Sequence, residues 1–163
     1  MTGLRSEGAA VGTAHVNQLR ARAMYQRGEH FLLAAVLLER YRGDGFAVLY
    51  LLCQSVEVML KAVLILRDYA GNKSRLKRFG HDISKLAKAT SAEFKLKPLD
   101  ASLKKELDHL NGLYCSSAYP LRYASFLDIL VDPQTIPRAL VFRRLMAVQR
   151  LVRRRLSQTT PSA

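Results

Sequence analysis

The chain has 163 residues, and its 26 lysines and arginines against 13 aspartates and glutamates give a net charge of +13 and a pI near 10.2. With 49% hydrophobic residues it is too apolar to be disordered as a whole, and it is long enough to bury a core without metal or disulfide support. Cys53 and Cys115 lie far apart and neither joins a cluster with metal-ligand spacing. A disulfide framework and a structural zinc site are therefore excluded, a reducing cytoplasm is the expected compartment, and no cofactor is implied.

Residues 1–12 are polar and rich in glycine and small side chains, with no apolar stretch of the signal-peptide kind, and read as a flexible leader. Residues 13–157 read as one helical domain and 158–163 as a disordered tail. The first helix is expected from about Ala14 to Tyr41, with Phe31, Leu32, Ala34, Ala35, Leu38 and Tyr41 on a broad apolar face and Gly28 bending or dividing it. In Gly43-Asp44-Gly45, Gly43 suits a helix end and Asp44 suits the N-cap of the next helix.

The second helix, from about Gly45 to Tyr69, is apolar on nearly every face and belongs at the centre of a bundle. Its segment Phe46 to Leu66 is long enough to span a membrane. However, Glu57 and Lys61 fall in its middle, each costing about 2.5–3.5 kcal/mol at a bilayer centre, so a buried helix is expected and no membrane. Ala70 to Phe79 reads as a short basic loop. A third helix starts near His81 or Asp82, turns Ile83, Leu86 and Ala87 inward, and fades near Phe94.

Asp100 caps a fourth helix, along which Leu103, Leu107, Leu110 and Tyr114 form one stripe. Pro133 and Pro137 open a fifth, with Val141, Leu145, Val148 and Val152 on its apolar face. No strand-like alternation is sustained anywhere. The expected fold is all-α, an antiparallel up-and-down bundle of four to five helices.

Gln54, Glu57 and Lys61, spaced i, i+3, i+7, share one face of the apolar second helix. Burying such groups costs several kcal/mol unless they are paired. The stripe therefore requires partners across the bundle or a ligand. In Gly80-His81-Asp82 the aspartate suits an N-cap, and it places His81 at a helix start, where the dipole attracts anions.

Three segments together resemble the HEPN family of small helical domains. They are the Gln54-x-x-Glu57-x-x-x-Lys61-Ala62 helix, then Gly80-His81-Asp82-Ile83-x-x-Leu86, then Tyr114-x-x-x-x-Tyr119-Pro120. The likeness spans roughly Phe31 to Tyr123. It implies a four- or five-helix bundle, commonly a homodimer. Members include RNA-cutting toxins, partners of small nucleotidyltransferases in toxin–antitoxin pairs, and domains thought to bind nucleotides. By resemblance Gln54, Glu57, Lys61, His81, Asp82, Tyr114 and Tyr119 are candidate ligand-binding residues, and Arg122 joins them by its proximity to Ala118 alone.

Catalytic members carry Arg, four to six residues, then His on a late helix, for metal-independent cleavage in which His acts on the RNA 2′-hydroxyl. This chain has no histidine after His109, and Ala118 stands where small members often have arginine. Arg122 is the nearest substitute. Arg75 and His81 have the right separation but fall outside the expected position. The resemblance thus favours a non-catalytic module that binds RNA, nucleotide or a partner protein. A ribonuclease using Arg75 and His81 and a dimeric interaction scaffold are the alternatives.

The basic surplus attracts polyanions. It concentrates in Arg67 to Lys97, with Lys77 and Arg78 at its centre, and in the last helix, where Arg143, Arg150 and Arg154 lie opposite the apolar stripe and could follow a phosphate backbone. A solvated charged face is the other reading of these runs.

Overall fold

In the computed structural model of the chain, residues 4–115, 121 and 131–158 are described, with side chains for 15–115, 121 and 131–150. The described residues are all-helical: α1 (Leu4–Arg40), α2 (Gly45–Arg67), α3 (Tyr69–Phe79), α4 (Ile83–Glu93), α5 (Ala101–Cys115), a 3-10 turn over Pro133–Thr135, and α6 (Ala139–Gln158). The expected tail lies outside them except for Gln158, whereas α1 already starts at Leu4, inside the stretch that reads as a leader.

Central placement of α2 follows from its composition. Apolar residues occur all round it, and Val48, Leu49, Leu52, Cys53, Met59 and Leu64 are fully or almost fully buried. It packs most extensively against α1 and also meets α3, α4, α5 and the 3-10 turn. By length and composition it is the one helix among the described residues that could cross a membrane. Its side chains are instead largely spent on these neighbours.

α1 and α2 form an antiparallel hairpin. α1 ends with Arg42 in the left-handed region at φ 53°, the Arg42 N–H donating to Glu39 O and the Gly43 N–H to Leu38 O. The left-handed residue is thus Arg42, one position before the expected glycine. Asp44 caps α2 as expected, accepting from the Ala47 N–H at 2.7 Å.

Gly28 does not divide α1, which runs unbroken past it. Its role is close approach. A Cβ there would stand 2.7 Å from Met59 Cγ, and the Gly28 carbonyl accepts the Ser55 hydroxyl at 2.8 Å, in the middle of the α1–α2 crossing.

The basic segment 70–79, expected as a loop, is helix α3. Asp68 caps it by accepting from the Gly71 N–H. On its inner face Asn72 Nδ2 donates to Leu64 O at 3.0 Å, stitching α3 to the end of α2, with Leu76 and Phe79 packed beside Leu64 and Leu86. Downstream, the buried Glu106 carboxylate accepts the Val141 N–H at 2.7 Å. A side chain of α5 therefore satisfies one of the orphan donors in the first turn of α6. Arg138, just ahead of α6, is buried and donates to Glu39, Gln134 and the carbonyls of Pro133 and Ile136, tying the 3-10 turn to the end of α1. On α6, Val141 and Leu145 face the core, and the buried Gln149 continues their line.

The close crossing yields a test. Gly28→Val puts two γ-methyls where even a Cβ collides, so urea unfolding should show a loss of about 2 kcal/mol, within the range of about 1–3 kcal/mol for overpacking. An unchanged midpoint would remove Gly28 as the crossing point.

Candidate functional site

Within the polar stripe of α2, Glu57 and Lys61 find partners on two other segments, α5 and the turn between α3 and α4. Glu57, 5% exposed, is the hub. Its Oε1 accepts from Lys61 Nζ at 2.6 Å, and its Oε2 accepts the Tyr114 hydroxyl at 2.6 Å and lies 2.9 Å from His81 Nδ1. Lys61 Nζ also donates to the Gly80 carbonyl at 2.6 Å.

Each placement has a local cause. The i, i+4 spacing on α2 puts Lys61 one turn beyond Glu57. Gly80 ends α3 at φ 56°, ψ −116°, a conformation that favours glycine, and so aims its carbonyl at Lys61 and carries His81 back to Glu57. Tyr114 comes from the apolar stripe of α5 and is itself fully buried. The His81 ring packs edge-on against Tyr114, with ring centroids 6.0 Å apart.

Burial alone would raise the Glu57 pKa. Hydrogen bonds from Lys61, Tyr114 and His81, with the Lys61 charge, outweigh it and hold the carboxyl below its ordinary value. Burial, the Glu57 hydrogen bond and its charge push the Tyr114 hydroxyl far up, so it stays protonated as a donor. Burial, then the Glu57 charge, does the same to the Cys53 thiol. Because Glu57 is ionised and accepts only, His81 Nδ1 must carry the hydrogen. Nε2 is then the nitrogen left for other partners, on a side chain that remains 41% exposed.

Asp82 accepts the Lys85 N–H at 2.9 Å, the N-cap expected from sequence. Burial opposes ionisation of Asp82, but the hydrogen bonds from Lys85 and Asn111 and the Lys85 charge win and lower its pKa. Asn111 Oδ1 accepts from Ile83 N at 2.8 Å and Ser84 N at 3.4 Å. The first amides of α4, expected to attract an anion, are thus already occupied by Asn111 and Asp82.

Gln54 is adjacent to the cluster without joining it. It donates to the Tyr50 hydroxyl at 3.0 Å, and the Tyr50 ring lies tilted against Tyr114 with centroids 6.1 Å apart. Arg75 is turned elsewhere: it donates to Asn72 Oδ1 at 2.9 Å, lies 3.7 Å from Glu93 and stacks over Phe79. His81 and Arg75 therefore serve different partners. Tyr119 and Arg122, and the Arg154 side chain, lie outside the described residues.

Tyr50, the Gly80 carbonyl and Asn111 were not among the candidates. Two carried a signal: Tyr50 is four residues before Gln54, and Asn111 is three before Tyr114 on the same face of α5.

Set against family models, curated proteins and solved structures, the chain matches none.

Glu57→Ala leaves Lys61 and Tyr114 without their buried acceptor and should cost about 3–5 kcal/mol in chemical unfolding. pH gives a finer test. The Glu57 pKa is lower in the folded chain than its unfolded value near 4.5, so its contribution is fully present above that value and is lost as pH falls through the folded pKa. The stability gap between the wild type and Glu57→Gln should therefore narrow below about pH 4.5. A gap independent of pH from 7 to 3 would refute the ionised hub.

Proposed function

We propose that the chain is a HEPN-like antiparallel helical bundle that binds RNA through the outer face of α3, extended by α6, and does not cut it. The observation that supports this most is the composition of that face. The exposed residues of α3 are Ala70, Gly71, Lys73, Ser74, Lys77 and Arg78. They occupy one continuous arc of the helix, three cations interleaved with three small residues and no acid. Among the described residues none of these cations lies within an ion-pair distance of a carboxylate. The nearby acids are engaged elsewhere, Glu93 with Arg67 and Arg75, and Asp82 with Lys85. Small side chains between the cations allow phosphates to approach closely. On α6, Arg143, Arg144 and Arg150 are also exposed and without a carboxylate partner among the described residues.

Absence of cleavage is supported by the distribution of the candidate groups. Arg75 is committed to Asn72, Glu93 and Phe79, so among the described residues the His81 imidazole has no arginine beside it to neutralise a scissile phosphate. The Glu57–Lys61–Tyr114 part of the cluster is a positioning core, with Lys61 already satisfied by two acceptors, and only the His81 ring reaches the surface.

Fluorescence anisotropy with labelled single-stranded RNA at 50–300 mM salt tests the reading. Affinity should fall steeply with salt, and replacing Lys73, Lys77 and Arg78 with alanine should flatten the log–log slope by about 0.7 per lost phosphate contact, about 2 in all. The RNA should remain intact. No binding at 50 mM salt, or a slope unmoved by the triple substitution, would sink the assignment, and cleavage abolished by His81→Ala would convert it to a nuclease.

A further inference from the structure

The polar hub reaches solvent through one ring. Glu57 and Tyr114 are buried, the Lys61 side chain is 18% exposed, and that of His81 is 41% exposed. The ionised Glu57 holds the His81 Nδ1 hydrogen at 2.9 Å, and Tyr114 packs edge-on against the ring. Nε2 keeps its lone pair and makes no hydrogen bond to the described residues. A carboxylate on one imidazole nitrogen fixes the tautomer and makes the other nitrogen more basic. The arrangement is a nucleophile oriented by buried groups and presented at the surface.

The surroundings decide what this nitrogen can take. A metal ion needs further ligands, and among the described residues no group of three His, Cys, Asp or Glu side chains could hold one. A nucleoside triphosphate needs cations around its oxygens, and Arg75 is turned to Asn72, Glu93 and Phe79. A single phosphoryl group needs only the nucleophile, provided its donor bond is already labile.

We infer that His81 is a phosphoryl acceptor, modified at Nε2 by a phosphoramidate-class donor, with Glu57 as its positioning residue. The Nε2 lone pair attacks phosphorus and forms the new N–P bond. The donor's P–N bond breaks, and its electron pair leaves on the donor nitrogen, which was protonated beforehand and departs as a neutral base. Nothing is oxidised or reduced. Nδ1 keeps its proton, so the ring becomes a cation, and the Glu57 carboxylate beside it offsets the new charge. The neighbouring acid, Asp82, is already neutralised by Lys85 and the Lys85 N–H. The positive end of α4 begins directly after it and favours the incoming anion. None of this depends on RNA binding, because the readout is a covalent bond.

The chain carries its own controls. His15, His30 and His109 are more exposed than His81 and have no carboxylate partner among the described residues. If exposure alone governed reactivity, they would react first. The full chain is treated with potassium phosphoramidate at neutral pH and followed by peptide mapping. His81 should be phosphorylated about 10-fold faster than any of the three, the low end of the effect of such a carboxylate partner. Phosphorus NMR should place the group on Nε2 alone. Glu57→Gln should abolish the lead, with circular dichroism reporting the fold. Concentrated urea should also abolish it in the wild type, which keeps the test decisive even if the variant unfolds. A His81 rate no higher than that of the other three, linkage through Nδ1, a lead that persists in urea, or an unchanged rate in folded Glu57→Gln would overturn the proposal.

Discussion

A carboxylate in the middle of an apolar helix cannot stay ionised unless other parts of the chain bring it donors, and Glu57 draws donors from three places. Lys61 comes from the same helix, Tyr114 from α5 and His81 from the turn between α3 and α4. That requirement sets the relative positions of α2, α4 and α5 more tightly than leucine packing alone would. Apolar contacts tolerate small rotations, whereas a rotation of α2 would strand a charge in the core. Buried ion pairs are often no more stabilising than apolar groups of the same volume. Their distinctive contribution here is orientation: the Gly80 carbonyl, His81 and the Asp82 cap follow one another along the chain, and all depend on where Glu57 and Lys61 point.

The parts of this arrangement legible in the sequence are those written in helical period or in capping chemistry. Glu57 and Lys61 could be placed on one face by spacing, and Leu103, Leu107, Leu110 and Tyr114 by their stripe. Asp44, Asp82 and Asp100 could be named as caps because a short acidic side chain before an apolar run has few other uses. Each accepts the expected backbone N–H.

What was not legible depends on what lies opposite. Residues 69–79 lack an apolar period, and Gly71, Asn72 and the cations read as loop. The segment is helical because Asp68 caps it and its inner face is anchored by Asn72 on the end of α2, with Leu76 and Phe79 packed beside Leu64 and Leu86. Gly28 looks like a break until Met59 is seen against it. Arg138 looks like surface charge until Glu39 and two carbonyls are found around it. α1 is hard to read for a related reason: opposite its buried Ala21, Tyr25, Leu32 and Ala35 it exposes Val16, Leu19, Leu33 and Leu37, so it shows no single hydrophobic side.

The chain's basic character takes on a different meaning once its acids are located. Asp44, Asp68, Asp82, Asp100 and Asp132 each accept an N–H at the start of a helical segment. Glu106 does the same for α6 from a neighbouring helix, Glu57 holds the buried hub, and Glu39 holds the buried Arg138. Negative charge is thus concentrated where backbone dipoles and interior donors need it. Positive charge has few interior acceptors left. Apart from Lys61 and Arg138, the cations whose burial is described are exposed or half-exposed, and those on the outer arcs of α3 and α6 lack acidic neighbours among the described residues. The surplus of +13 is set by composition, but using most of the described carboxylates for architecture leaves it displayed as unpaired cations on the outer arcs of α3 and α6 among the described residues. By that same division, an anion drawn to these cations would not compete with the contacts that hold the helices together.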